Sequence, residues 1–345
     1  MTKRVGILTG GGDCPGLNAV IRASVVKGVR HYNYKFIGIK NGWAGLLDFE
    51  WTPLDRDSIS GVIHRGGTIL GTSRTNPVKN EQVKQLAIEN YKKLRLDALI
   101  AIGGDDTLGA ALELHKAGLH IVAVPKTIDN DVGGTDFTFG FETAVQIATE
   151  AIDRLHTTAE SHNRIIIVEV MGRHAGWIAT YSGIAGGADV VLIPEVAFKL
   201  EDIVQVINAR RERGRTFSIV VIAEGAFPEG KKDAYLKSDK VDDFGHVQLG
   251  GVGVALAKDL EKLTGIDCRT TILGHVQRGG TPTAFDRVLA TRFGVTAIDM
   301  VKNEQWGYMA ALRGTEVVPR PLDECVHQDK RVPAELYEVA KVFFG

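Results

Sequence analysis

The chain has 345 residues, 44% of them hydrophobic, with 41 Lys plus Arg against 42 Asp plus Glu, enough apolar content for more than one core and a length that ordinary domain sizes divide in two. Near-neutral net charge excludes a whole-molecule attraction to nucleic acid or to a membrane surface, so any anion site must be local. Three cysteines, Cys14, Cys268 and Cys325, stand far apart with no Cys-x-x-Cys pair, which argues against a disulfide framework or structural zinc and for a reducing, cytoplasmic location.

No apolar run reaches the roughly 18 residues of a membrane span, and Lys3-Arg4 leads straight into a short strand pattern rather than a signal-peptide core. Glycine is the outlier, 40 residues, about 12% where roughly 7% is usual. The glycines cluster just after apolar runs, where backbone can be held close to a ligand.

Taken in order, Val5-Gly6-Ile7-Leu8-Thr9 reads as a strand, followed by Gly10-Gly11-Gly12-Asp13-Cys14-Pro15-Gly16 and a helical pattern over 17–29. Strand, glycine loop and helix start form a layout that cradles phosphate with backbone N–H groups, although the spacing is neither the dinucleotide fingerprint nor the Walker loop. Tight strand-to-helix packing explains the same glycines. A second strand, Phe36-Ile37-Gly38-Ile39, precedes a second glycine loop, Gly66-Gly67-Thr68-Ile69-Leu70-Gly71-Thr72-Ser73-Arg74, whose arginine offers a planar fork to phosphate oxygens.

A helical stretch over 81–93 and the strand Ala98-Leu99-Ile100-Ala101-Ile102 lead to Gly103-Gly104-Asp105-Asp106-Thr107. Two carboxylates repel a bare phosphate, so a cation must mediate, and one carboxylate with phosphate oxygens and waters is an ordinary Mg²⁺ arrangement. Asp105 or Asp106 also suits a helix N-cap. Ile121-Val122-Ala123-Val124 then runs out into Pro125-Lys126-Thr127-Ile128-Asp129-Asn130-Asp131. The carboxyl edge of an open α/β sheet is where ligands sit, and two carboxylates around one Asn can hold a cation or take a proton from an alcohol. The same residues also make turns by local hydrogen bonding.

Further on, a helix over 141–157 precedes Arg164 and the strand Ile165-Ile166-Ile167-Val168-Glu169-Val170, which ends in Met171-Gly172-Arg173-His174-Ala175-Gly176-Trp177. Val190-Val191-Leu192-Ile193 ends at Pro194-Glu195, a helix starts near Leu200, and the strand pattern over 218–223 closes on Glu224-Gly225. Residues 227–253 break the rhythm as a polar excursion with Lys231-Lys232-Asp233, Lys237-Ser238-Asp239-Lys240 and Asp242-Asp243. A helix near 254–263 is followed by Arg269-Thr270-Thr271-Ile272-Leu273-Gly274-His275-Val276-Gln277-Arg278-Gly279-Gly280, with two arginines and a histidine around one short strand. This alternation implies an α/β fold of doubly wound parallel sheets, with a cleft between two domains. Glycine loops, separated basic anchors and two acidic pairs together fit a phosphoryl transferase acting on an already phosphorylated alcohol.

Five of these stretches resemble the motifs of the phosphofructokinase family, in the family's order: Gly11-Gly12-Asp13-Cys14-Pro15-Gly16-Leu17-Asn18, Gly103 to Thr107, Pro125 to Asp131, Met171-Gly172-Arg173, and Gly274 to Gly280. The resemblance covers about 5–298. It implies two doubly wound (Rossmann-like) domains: 1–140 plus about 277–325 for the phosphoryl donor, and about 141–276 for the sugar phosphate, with 326–345 packing on the latter. By resemblance, Asp129 is the base for the 1-hydroxyl of fructose 6-phosphate with Thr127 beside it, Arg173 stabilises the transferring group, Asp105 holds Mg²⁺, and Gly12 and Arg74 contact the donor. Met171, Gly172, Glu224, His275 and Arg278 bind the sugar phosphate, joined by Arg164 and Arg269 from a neighbouring subunit of a homodimer or homotetramer. Where ATP-dependent members have Gly-Gly-Asp-Gly and Pro-Gly-Thr-Ile-Asp-Asn-Asp, this chain has Asp106 and Lys126, as the pyrophosphate-dependent members do. His156 stands where the effector pocket has an arginine. The expected reaction is Mg²⁺-dependent, reversible transfer from pyrophosphate to fructose 6-phosphate, against an ATP-dependent enzyme and a non-catalytic sugar-phosphate sensor as alternatives.

Overall fold

The computed structural model describes residues 2–230, 236–241, 244 and 247–345, with side chains for all of these except 236–241 and 247–249. Its first half alternates β1 (Arg4–Thr9), α1 (Leu17–Tyr32), β2 (Lys35–Ile39), α2 (Trp43–Leu47), β3 (Trp51–Leu54), α3 (Glu81–Lys93), β4 (Ala98–Gly103), α4 (Asp105–Lys116), β5 (Ile121–Pro125) and α5 (Phe141–His162). There follow β6 (Ile165–Val170), α6 (Trp177–Ala185), β7 (Val190–Leu192), α7 (Leu200–Glu212), β8 (Ser218–Ala223), β9 (Leu236–Val241), β10 (Val247–Leu249), α8 (Val252–Thr264) and β11 (Cys268–Ile272). A 3₁₀ turn (Gly274–Arg278), α9 (Ala284–Lys302), β12 (Tyr308–Arg313), β13 (Glu316–Pro321) and α10 (Ala334–Lys341) complete the order.

The strands form a seven-stranded sheet in the order β13-β12-β5-β4-β1-β2-β3 and a four-stranded parallel sheet β11-β6-β8-β7. Period-two alternation divides each central strand between two cores, as expected for strands covered on both faces. Val5, Ile7, Ile100, Ile102, Val122 and Val124 face a core with α1 and α9, whereas Leu8, Leu99, Ala101, Ile121 and Ala123 face one with α2, α3 and α4. The second sheet is likewise sandwiched. Ile166, Val168 and Val221 join the α1/α9 core together with α5 and α6, and Ile165, Ile167 and Val220 pack on α7 and α8. One apolar cluster therefore runs between the two sheets. At its outer edges the larger sheet is antiparallel, and the edge strands carry Pro53, Pro319 and Pro321, which cannot donate to a further strand.

Several boundaries move relative to the sequence reading for identifiable reasons. The helix from Phe141 runs on past 157 to His162, because its buried Phe141, Ala144, Ala148, Ile152 and Ala159 keep helical spacing to the end. It stops where Asn163 takes a left-handed conformation (φ 52°) and its N–H bonds back to Ala159 and Glu160. Asp105 and Asp106 lie in the first turn of α4; Gly104 is the N-cap and no side chain caps that helix. Of the polar excursion at 227–253, the described part includes an antiparallel hairpin of β9 and β10. Lys231, Lys232, Asp233, Asp242 and Asp243 lie outside the described residues.

Candidate active site

The carboxyl ends of β1, β4 and β5 lie side by side, and the chain reverses its direction of winding between β1 and β4, the position where open α/β sheets bind ligands. Gly10 N donates to Ile102 O at 2.9 Å, drawing the first glycine loop onto β4. A Cβ on Gly10 would sit 2.6 Å from Thr107 Oγ1, and one on Gly103 would sit 2.3 Å from Thr107 Cβ. Glycine at both positions lets the first turn of α4 close on the loop. The second glycine loop is pinned to the first: Gly11 N donates to Ser73 O at 3.0 Å and Thr72 Oγ1 donates to Gly11 O at 2.6 Å. Below them Lys126 is buried and its ammonium donates to Gly12 O. Burial, more than any neighbouring charge, pulls this lysine below its ordinary range.

The loop after β5 carries the carboxylates. Asp129 N donates to Thr127 Oγ1 at 3.0 Å, and Asn130, left-handed at φ 52°, accepts from Thr138 N at 3.1 Å. Asp129 is only 4% exposed, yet its Oδ1 has no hydrogen-bond partner among the described residues. A buried carboxylate oxygen without a donor is costly to keep unless another molecule supplies the proton. Asp131 is raised to about 7, first by burial and then by the charge of Asp129. Across from it, Glu224 accepts from Arg173 N at 3.2 Å and is likewise raised to about 7, again by burial first and Asp129 second. Arg173 is itself left-handed (φ 52°), at the exit of β6.

One open cleft with about 1100 Å³ of space is lined by Gly12, Arg74, Asp105, Asp106, Lys126, Thr127, Asp129, Asp131, Arg173 and Arg278. Carboxylate oxygens, one buried lysine, the more accessible arginines and glycine backbone suit a polyphosphate and a hydroxyl. For a metal, no cluster of three or more His, Cys, Asp or Glu able to hold an ion occurs among the described residues. Mg²⁺ fits such a site because it commonly takes one or two carboxylates and completes its shell with substrate phosphates and water.

The phosphofructokinase model matches residues 4–301, the stretch that builds both sheets apart from β12 and β13. The chain belongs to the phosphofructokinase family. It is 57% identical over 99% of its length, and all of the other's, to a pyrophosphate–fructose 6-phosphate 1-phosphotransferase of Streptomyces coelicolor. It is 52% identical, over 99% of its length and all of the other's, to an ATP-dependent 6-phosphofructokinase 2 of the same organism. Among solved structures it resembles the T-state phosphofructokinase of Pichia pastoris, with a TM-score of 0.83, 33% identity, and coverage of 99% of this chain but 36% of that one.

Within this family fold, Arg278 reaches the cleft from the 3₁₀ turn, and the remaining sequence candidates lie outside its lining. Arg278 packs on the first glycine loop, where a Cβ on Gly12 would meet its Nη1 at 2.5 Å. Met171 N donates to Gln277 Oε1 at 3.3 Å, beside Gly172 at φ 144°. His275 is exposed in the 3₁₀ turn. Arg164 and Arg269 lie outside the cleft lining, both paired with Asp267, the former at 2.5 Å. His156 Nε2 lies 2.7 Å from Gly186 O.

Sequence reasoning missed a whole wall. Gln328, Asp329, Lys330 and Arg331 line the cleft, and His327 engages Asp105 twice, its N–H donating to Oδ1 at 2.8 Å and its Nδ1 lying 2.9 Å from Oδ2. Nothing in the local pattern of this segment marks it, because it has neither a glycine cluster nor a strand exit. Gln277, fully buried, was quoted only as part of a motif; its amide joins the β6 exit to Gly274 O.

Proposed function

We propose that this chain transfers a phosphoryl group from pyrophosphate to the 1-hydroxyl of fructose 6-phosphate, giving fructose 1,6-bisphosphate and phosphate, reversibly and in the cytoplasm. The observation that carries this reading is the shared cleft, which holds Asp106 and Lys126 on the glycine-loop wall and the unpartnered Asp129 oxygen beside them. The 57%-identical relative bears the corresponding name, which supports it.

In this reading Asp129 accepts the hydroxyl proton as the sugar oxygen bonds to the nearer phosphorus, the bridging P–O bond breaks, and phosphate leaves with the electron pair. Thr127 holds the Asp129 backbone in place through its hydroxyl. Arg173 neutralises charge growing on the transferred group. Gly12, Arg74 and Lys126 bind the donor, and Asp106 occupies space that a nucleotide would need. Met171, Gly172, Glu224, His275 and Arg278 hold the sugar phosphate. Asp105 would hold Mg²⁺, which when bound neutralises phosphate charge. The division of labour follows the two sheets: 1–140 with 277–325 for the donor, 141–276 for the acceptor. Arg164 and Arg269, on the outer side of the second sheet, complete the acceptor site of a neighbouring copy in a homodimer or homotetramer. No described helix is long and apolar enough to cross a membrane.

The test measures turnover with fructose 6-phosphate and Mg²⁺, comparing pyrophosphate with ATP in native protein and in Asp106→Gly. Native preference for pyrophosphate, and some ATP use once the aspartate is gone, is the expected pattern. Two phosphate-like charges about 4 Å apart at an effective dielectric near 20 repel by around 4 kcal/mol before screening. Native turnover with ATP and none with pyrophosphate would leave the ATP-dependent reading standing; the 52%-identical relative keeps it in view.

A further inference from the structure

The first sheet ends with β13 at Pro321; after a 3₁₀ turn (Leu322–Glu324), residues 326–333 run along the cleft, which 328–331 line, and reach α10, which packs on the second sheet's side. Asp329 bridges Val132 in antiparallel fashion, and Lys330 N donates to Asp131 O at 3.2 Å. Farther along, Val332 N donates to Glu195 Oε1 at 3.0 Å, and the same carboxylate accepts from Gly176 N at 2.9 Å, at the start of α6. This segment thus ties the loop bearing Asp129 to the loop bearing Arg173.

Lys330 is where the two ties meet. Its ammonium donates to Asn130 Oδ1 at 2.9 Å and to Asp136 O at 2.5 Å. The same nitrogen lies 5.1 Å from the Trp177 ring centroid and 5.8 Å from that of Phe137. Trp177, first residue of α6, returns the contact by donating its Nε1–H to Lys330 O at 2.9 Å. Asn130 is fully buried, left-handed and adjacent to Asp129, so the position of its side chain sets the position of the base.

We propose that Lys330 is a positioning residue for phosphoryl transfer, holding Asn130, and through it Asp129, at a fixed distance from the Arg173 loop. This rests on the phosphotransferase reading above. An ammonium suits the task because it offers three donors and an attraction to two aromatic faces, whereas a neutral side chain would lose both at once. The inference separates geometry from affinity: the Lys330 ammonium is bonded to Asn130 Oδ1 and Asp136 O, next to the loop that bears Asp129, so its loss should lower kcat more than it raises either KM.

The experiment is a double-mutant cycle of Lys330→Met and Asn130→Gly, each measured for kcat and both KM values with fructose 6-phosphate and pyrophosphate. Glycine accepts the left-handed backbone of Asn130 and removes only its side chain. A misplacement of about 1 Å costs on the order of 100-fold, so kcat in Lys330→Met should fall roughly 10- to 100-fold with each KM within about threefold of native. Because Lys330 acts on Asp129 through the Asn130 side chain, which Asn130→Gly already removes, the double variant should be within about twofold of Asn130→Gly alone. Native kcat in Lys330→Met, or multiplicative losses in the double variant, overturns the proposal. Should Lys330→Met not fold, Asn130→Gly reads the contact from its other side, and native kcat there overturns it equally. An active native protein with an indifferent Lys330→Met removes this inference alone; a native protein inactive with either donor removes the phosphotransferase reading and this inference with it.

Discussion

At the scale of residues, the site is a set of carboxylates crowded together in a largely enclosed loop cluster. Among the described residues Asp129 lacks a partner on one oxygen, while Asp131 and Glu224 are pushed up to about 7, by burial first and by Asp129's charge second. Asp129→Asn keeps the shape and loses the proton affinity, so kcat should fall by about 10²- to 10⁴-fold with fructose 6-phosphate binding retained, as read by steady-state kinetics and calorimetry. Glu224 carries a stability consequence with a definite sign. Its folded value, about 7, lies above the ordinary 4.5, so the folded state retains a proton that the unfolded state has released. Its destabilisation therefore grows as pH rises through that window and is full above it, on the order of 3 kcal/mol. Glu224→Gln should raise Tm more at pH 8 than at pH 5.5, and an equal change at both would contradict the burial argument.

At the scale of elements, the starts of α5 and α9 are stapled together at the rear of the cleft. Asp286, fully buried, accepts from Thr143 N at 2.8 Å and from Thr143 Oγ1 at 2.6 Å, and Thr283 N donates to Thr143 Oγ1 at 3.1 Å. Thr283 caps α9 through Asp286 N, and its hydroxyl donates to Glu142. Burial raises Asp286 to about 6, and the Thr143 bonds oppose that shift. Thr143→Val keeps the volume and removes one donor from a buried carboxyl, which should cost about 1–3 kcal/mol in denaturant unfolding. Both substrates should keep their KM values, because the staple is made behind the site. A KM shift without a stability loss would mean that the staple tunes the cleft instead.

At the scale of the whole molecule, one chain lines the cleft with its glycine loops and Asp129, while Arg164 and Arg269, two arginines of the expected acceptor site, lie outside that lining. Arg164 and Arg269 share Asp267 at the parallel β6/β11 pair, where partly exposed ion pairs contribute little to stability. In the proposed reading, Asp267 holds their forked donors ready for a phosphate. Arg164→Ala and Arg269→Ala should each raise KM for fructose 6-phosphate about 10-fold or more, and lower kcat less, since they anchor a phosphate that does not react. Dilution below the assembly's dissociation midpoint should reproduce the same KM rise in native protein. Unchanged KM in both variants would place the acceptor's phosphate elsewhere.

The doubly wound α/β character and the loops that come together at the cleft were legible in the sequence alone. Glycine, aspartate and arginine following a β-branched run are local signals, and a parallel sheet delivers every such loop to the same edge. Thus Gly12, Asp105, Asp129 and Arg173 were all nameable before any contact was known, and all line one cleft. What Lys126 does was only half legible: its charge marks a phosphate site, but only the packed structure shows the ammonium buried beneath the glycine loop on Gly12 O. The wall at 327–331 was not legible at all. His327 meets Asp105 across 222 residues and Lys330 meets Asn130 across 200, and contacts at that separation leave no periodicity in the chain. They exist because the two sheets share one apolar core, which fixes the cleft's mouth at a width that a short extended segment can span.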